Sequence, residues 1–111
     1  MSAVHSPHHP RLPGVLVIDD EVRSQEAIRR TLEEDFEVFC ASGAEGAEQI
    51  LVREMPAGIQ IVLCDQRMPG KNGVDFLKEV RERWPDVVRT NLQFTNTNFF
   101  ILVSSLMVRT M

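Results

Sequence analysis

The chain has 111 residues, 12 Lys plus Arg against 16 Asp plus Glu, a formal net charge of -4 at pH 7 and 43% hydrophobic residues. A chain of that size has room for one hydrophobic core and not for two, so one small acidic domain is expected. The charge balance, with a pI near 5.3, argues against a domain that grips nucleic-acid phosphates by itself, and the longest apolar stretch, Phe99 to Val103, falls far short of the roughly 20 residues of a membrane span.

Residues 1–13 interleave His5, His8 and His9 with Pro7, Pro10 and Pro13 and show no hydrophobic period, so a disordered, solvated lead-in is expected. A loose metal site on the three histidines is disfavoured, because the prolines prevent the helix or hairpin that would fix ligand geometry. From Gly14 the pattern changes. Val15, Leu16, Val17 and Ile18 form a continuous apolar run that ends on Asp19, Asp20 and Glu21, which reads as a buried strand delivering acids at its end. Ala27, Ile28, Thr31 and Leu32 then mark one face of a helix. Phe36, Val38 and Cys40 alternate with Glu37, Phe39 and Ala41, predicting a second strand nearer an edge.

Ala44, Ala47, Ile50 and Leu51 make a second helical face, punctuated by Pro56 and Gly58. Ile59 and Ile61 to Cys64 form another buried strand, ending on Asp65. Met68, Pro69, Gly70, Asn72 and Gly73 build a loop, and Val74, Leu77, Val80, Arg81 and Trp84 mark a third helix that Pro85 stops. Strands alternating with helices imply crossover units and a parallel sheet covered on both faces, with ligands received beyond the carboxyl ends of the strands. Cys40 and Cys64 stand singly in apolar runs, without a C-x-x-C pair or a secretory leader, and read as buried, reduced thiols of a cytoplasmic protein.

Asp19, Asp20 and Asp65 all fall at strand ends. Two unit charges about 4 Å apart repel by on the order of 4 kcal/mol at an effective dielectric of 20, so something must offset them. Either one carboxylate is protonated, or a hard divalent cation sits among them, for which Mg²⁺ is the best fit. Such a cation neutralises an incoming phosphoryl group and lets a carboxylate act as nucleophile, giving an acyl phosphate on aspartate. The plainer alternative is that Asp19 to Glu21 cap the next helix and that Asp65 starts a turn. Lys71, in the same loop region, reads as an exposed lysine and Trp84 as packing.

V-L-V-I-D-D-E at 15–21 and V-L-C-D-Q-R-M-P-G-K-N-G at 62–73 resemble the receiver domain of bacterial two-component response regulators. The resemblance covers residues 14–89 and implies an α/β, flavodoxin-like, doubly wound parallel sheet of βα repeats. It implies that Asp65 is the phosphoacceptor. It further implies that Asp19, Asp20 and Asp65, with the backbone carbonyl of Arg67, hold Mg²⁺, Asp20 being the more direct ligand of the acidic pair. Pro69 and Gly73 match the loop that shapes the pocket. C-D-Q-R-M-P-G followed by G-V-D-F-L-K-E-V-R-E-R-W-P-D-V-V-R looks like receivers of the nitrogen-regulator class, particularly those governing hydrogenase genes; receivers attached to cyclic-dinucleotide phosphodiesterases carry similar stretches.

The chain leaves that pattern after Arg89. In the family a fourth apolar strand ends on Ser or Thr; here that position is Gln93, and Thr90 to Gln93 is not expected to form a buried parallel strand. Residues 90–111 hold a single charged side chain, Arg109, and read as an off-pattern tail, with a frameshift or fusion as the expected origin. Thr95 and Ser104 replace the hydroxyl only if the register shifts, and a makeshift fourth strand at Phe99 to Ser104 is the lesser alternative. The family's phosphate-contacting lysine is expected to lie beyond Met111. The C-terminal part of the fold is therefore expected to be incomplete, the third strand's edge exposed, self-association or homodimerisation promoted, and signal output impaired.

The leading functional expectation is a phosphoacceptor that takes its phosphoryl group from a sensor histidine kinase and controls an attached transcriptional output domain. It is not an enzyme, touches no nucleic acid in this segment and needs no membrane. A fragment that binds or titrates a kinase or partner receiver is the alternative. A Mg²⁺-dependent phosphatase is weakest, because D-D-E and D-Q-R stand where such hydrolases need D-x-D.

Overall fold

A continuous apolar run can be buried on both faces only if helices cover both sides of its sheet, and the alternation of runs and amphipathic segments along this chain satisfies that condition. A computed structural model of the chain describes residues 12–55, 57–65 and 70–91. It contains β1 (Gly14–Ile18), α1 (Val22–Leu32), β2 (Glu37–Ala41), α2 (Ala44–Glu54), β3 (Ile61–Cys64), α3 (Gly73–Arg83) and β4 (Val88–Asn91). The strands form one sheet in the order β2-β1-β3-β4, and every neighbouring pair is parallel. Strand order reverses between β1 and β3, which opens a crevice at their carboxyl ends.

Side-chain alternation divides the core in two. Leu16, Ile18, Val62 and Cys64 pack with Ala47 and Leu51 of α2 and with Phe76 and Val80 of α3. Val15, Val17, Ile61 and Leu63 pack on the opposite face with Leu32 of α1 and with Phe36. β1 lies between two neighbours and is buried at all five residues. Close approach at its start requires glycine: a Cβ on Gly14 would lie 1.8 Å from the Gly58 carbonyl oxygen.

α3 shows how local chemistry sets element bounds. The Asn72 side chain accepts a hydrogen bond from the Asp75 backbone N–H at 2.9 Å, satisfying a donor of the first turn. Arg81 and Arg83 stand in the last turn, where cations oppose the helix dipole. The helix gives way at Trp84, since a residue before proline disfavours helical geometry.

The predicted βα order holds through α3, with corrections at particular residues. Ala27 and Thr31, expected on the apolar face of α1, are exposed, leaving Ile28 and Leu32 as its inward residues. Val74, expected on the inward face of α3, is 41% exposed; the buried stripe runs through Gly73, Phe76 and Val80, and Arg81 is exposed. Cys40 is half-buried rather than buried, whereas Cys64 is buried, and the two are not joined in a disulfide.

The largest correction concerns β4. Thr90 and Asn91, not expected to form a buried parallel strand, belong to a parallel strand that is half-buried at Val88 to Thr90, and Val88 to Asn91 pair in register with Ile61 to Cys64. The edge of β3 is therefore covered along its length. An unbroken apolar run is required only of a strand buried on both faces. β4 is an edge strand of the described sheet and is joined to β3 by backbone pairing, which side-chain pattern does not report. Leu92 and Gln93 lie outside the described residues, as do Thr95, the alternative strand at Phe99 to Ser104, and the lead-in histidines.

Candidate functional site

The parallel ladder carries two acids to adjacent positions. Ile18 pairs with Ala41 on one side and with Cys64 on the other, so the next residues, Asp19 and Asp65, emerge together at the crevice. The ladder's last bonds hold both: the Asp19 N–H donates to the Ala41 carbonyl at 3.0 Å, and the Asp65 N–H donates to the Ile18 carbonyl at 2.8 Å. Asp20 follows from the β1–α1 connection. Carboxylate oxygens of Asp19, Asp20 and Asp65 all lie within 4.8 Å of one another. Asp19 is 7% exposed, the one buried charged residue among those described, while Asp20 is exposed and Asp65 half-buried.

These acids do not serve as a helix cap. Glu21 occupies the N-cap position of α1 without a side-chain cap hydrogen bond, and the first turn contains no acid. Asp19 Oδ1 accepts from the Glu21 backbone N–H at 2.9 Å, which closes a local turn. Burial pushes the Asp19 carboxyl above its ordinary value, aided by the charges of Asp65, Asp20 and Glu21 and opposed by that hydrogen bond. The cluster thus concentrates negative charge at a buried point.

The donor set consists of three carboxylates in mutual reach. It suits a hard cation that prefers oxygen, and it contains no soft ligand. Cys64, directly beneath, is pushed up to about 12 by burial, with Asp65 and Asp19 adding to the effect. This keeps it a neutral thiol at physiological pH.

Of the residues expected at the site, the structure gathers Asp19, Asp20 and Asp65. Gly73 is buried as the first residue of α3. Arg67 and Pro69 lie outside the described residues. Lys71 forms an ion pair with Glu79 on the surface of α3. Trp84 packs against the α2 and α3 side of the core, with the Arg83 guanidinium carbon 4.3 Å from its ring centroid. Sequence reasoning missed Gln25, whose amide donates to the Asp19 carbonyl at 2.6 Å and to the Ala41 carbonyl at 3.2 Å. The available signal was a polar amide on the inward side of the first turn of α1, next to the acids. The Asn72 cap was legible as an Asn three residues before Asp75.

A family model described as the response regulator receiver domain matches residues 15–99. The hydrogenase transcriptional regulatory protein HoxA of Cupriavidus necator is 59% identical over 75 residues, which are 68% of this chain and 15% of that protein. The chain therefore spans about one seventh of that relative's length. A receiver domain protein from Clostridium thermocellum superposes with a TM-score of 0.72 at 24% identity, covering 89% of this chain and 97% of that one. The response regulator TrrA from Thermotoga maritima, solved in complex with Mg(2+)-BeF, superposes with a TM-score of 0.63 at 28% identity, covering 70% of this chain and 66% of its own.

Proposed function

The chain belongs to the response regulator receiver domain family, and from that premise we propose that Asp65 accepts a phosphoryl group from the phosphohistidine of a sensor kinase. The observation that carries the reading is the meeting of Asp19, Asp20 and Asp65 within 4.8 Å at the crevice of a parallel sheet. That is where an α/β fold of this type receives ligands.

The carboxylate of Asp65 is the nucleophile. An oxygen of Asp65 forms a bond to phosphorus, the phosphorus–nitrogen bond of the donor breaks, the imidazole leaves with its electron pair and takes up a proton, and an acyl phosphate remains. Asp19 and Asp20, with Asp65, would hold Mg²⁺, and the carbonyl of Arg67 is proposed as the remaining protein ligand. When bound, the cation supplies positive charge against the phosphoryl oxygens. The described residues of the crevice present acids to an anionic donor, which is why a counter-charge is required there. Pro69 and Gly73 are proposed to shape the loop beside it.

The likeness to a hydrogenase transcriptional regulator supports a place for this domain at the input of a transcriptional regulator of the nitrogen-regulator class, in a two-component system. A cytoplasmic location is proposed with it; Cys40 and Cys64 are not joined in a disulfide, and among the described residues no helix is long and apolar enough to cross a membrane.

Incubation with a small phosphodonor and Mg²⁺, followed by intact-mass measurement, tests the proposal. A single added phosphoryl mass that is lost in Asp65→Asn is expected. A folded wild-type protein that gains none refutes the phosphoacceptor reading and favours a fragment that only binds a kinase or partner receiver. Sustained turnover of phosphate esters would refute it in the other direction.

A further inference from the structure

Two of the three acids sit on the short connection between β1 and α1, and mutual repulsion pushes that connection away from Asp65. Three contacts hold its start. The Asp19 N–H donates to the Ala41 carbonyl, the Glu21 N–H donates to Asp19 Oδ1, and the Gln25 side chain reaches back from the first turn of α1. Its Nε2 lies 2.6 Å from the Asp19 carbonyl oxygen, 3.2 Å from the Ala41 carbonyl oxygen and 3.5 Å from Ser42 Oγ. A primary amide has two hydrogens. Here one carbonyl at the end of β1 and one at the end of β2 take them.

We infer that Gln25 is a positioning residue for the acidic site: its amide clamps the Asp19 carbonyl to the end of β2 and so fixes where Asp19 and Asp20 present their carboxylates. The inference rests on the reading of that site as a Mg²⁺ site. A small cation with near-octahedral demands tolerates little displacement of its oxygens. An uncharged amide restrains the acidic backbone without cancelling the negative field that attracts the cation, which an Arg or Lys at the same place would weaken. Gln25 touches neither cation nor phosphoryl group, so its effect is on affinity for Mg²⁺ rather than on the chemistry at Asp65.

Gln25→Met keeps side-chain length and helix propensity and removes both donors. Calorimetric titration with MgCl₂ is expected to show a Kd about three- to tenfold weaker than wild type, the size of a lost hydrogen bond. The rate of Asp65 phosphorylation at saturating Mg²⁺ should be retained, with only the half-saturating Mg²⁺ concentration raised. Gln25→Asn, which keeps the amide but withdraws it by one methylene, should weaken Mg²⁺ as well. Ile50→Ala, which truncates a half-buried α2 side chain packed against the core, serves as the control that lowers stability without touching the clamp.

An unchanged Kd in folded Gln25→Met, or equal weakening in Ile50→Ala, overturns the positioning role while leaving the Mg²⁺ site intact. Absence of Mg²⁺ uptake by the wild-type chain overturns the cation reading, and the clamp's role with it.

Discussion

Replacing Asp20 by Asn should make the metal-free protein more stable and the Mg²⁺-supplemented protein less responsive, so that the order of stability inverts between the two conditions. The carboxylate oxygens of Asp19, Asp20 and Asp65 lie within 4.8 Å of one another. At that outer distance each ionised pair repels by about 3.5 kcal/mol at an effective dielectric of 20 and by about 0.9 kcal/mol in bulk water. Asp20 is exposed, which favours the lower figure. Removing its two pairs therefore stabilises the metal-free fold by about 2 kcal/mol, or roughly 5–10 °C in Tm for a domain of this size. Mg²⁺ at about a hundred times its Kd stabilises the wild type by about 2.7 kcal/mol through linkage. The variant, lacking a carboxylate proposed to hold the ion, should gain little. Thermal unfolding followed by circular dichroism, in EDTA and in a Mg²⁺ series, reads both effects. A variant that melts below wild type in EDTA, or that keeps the full Mg²⁺ shift, would refute the account of the acids as a strained cation site.

Further outcomes follow from other residues. Because the folded state raises the Asp19 carboxyl above its ordinary value of 3.8, the native state binds more protons than the unfolded chain between that value and the folded one. Its contribution is fully present below 3.8 and is lost as pH rises through the folded pKa. In EDTA the stability of wild type relative to Asp19→Asn should thus increase on acidification, measured as urea midpoints from pH 7 downward; a decrease would contradict the assignment. Gly14→Ala would bring a Cβ to 1.8 Å from the Gly58 carbonyl oxygen, and the forced backbone separation should cost about 1–3 kcal/mol or more in denaturant unfolding. Asn72→Ala removes the α3 cap and should cost about 1 kcal/mol by the same measurement. In native protein at pH 8, maleimide should label the half-buried Cys40 before the buried Cys64, whose thiol is pushed up to about 12; peptide mapping after short exposure reads the order.

The parts of the fold that are written as unbroken apolar runs were legible from composition of the run alone. Val15 to Ile18 and Ile61 to Cys64 are such runs, and each ends on an acid of the site, so both the parallel sheet and the cluster could be anticipated without coordinates. Residues placed by helix phase were harder. Val74, exposed, stands one residue from Gly73 and two from Phe76, both buried, and a glycine contributes nothing to a hydrophobic period. β4 escaped because its membership rests on main-chain pairing to β3, to which Thr90 and Asn91 contribute as well as any residue. Gln25 escaped for a related reason. Its importance lies in two carbonyls brought together by β1–β2 pairing, a relation between residues far apart in sequence that no local spacing encodes.

The position of β1 within the sheet has a consequence in time as well as in space. It is the first of the described strands, yet it lies inside the sheet between β2 and β3. A growing chain makes Val15 to Ile18 first and then completes a crossover before β2 can dock along one side. A second helix must be finished before Ile61 to Cys64 can close the other side. Until then the strand keeps an open row of N–H and C=O groups beside apolar side chains, and its native partners are all non-local. Contacts of that kind must offset loop closure before they return any stability, and the β1–β3 pair, which spans a longer stretch of chain than the β1–β2 pair, carries the larger closure cost. Asp65 meets Asp19 and Asp20 in that same pairing, so their repulsion opposes the step that joins the two halves of the sheet.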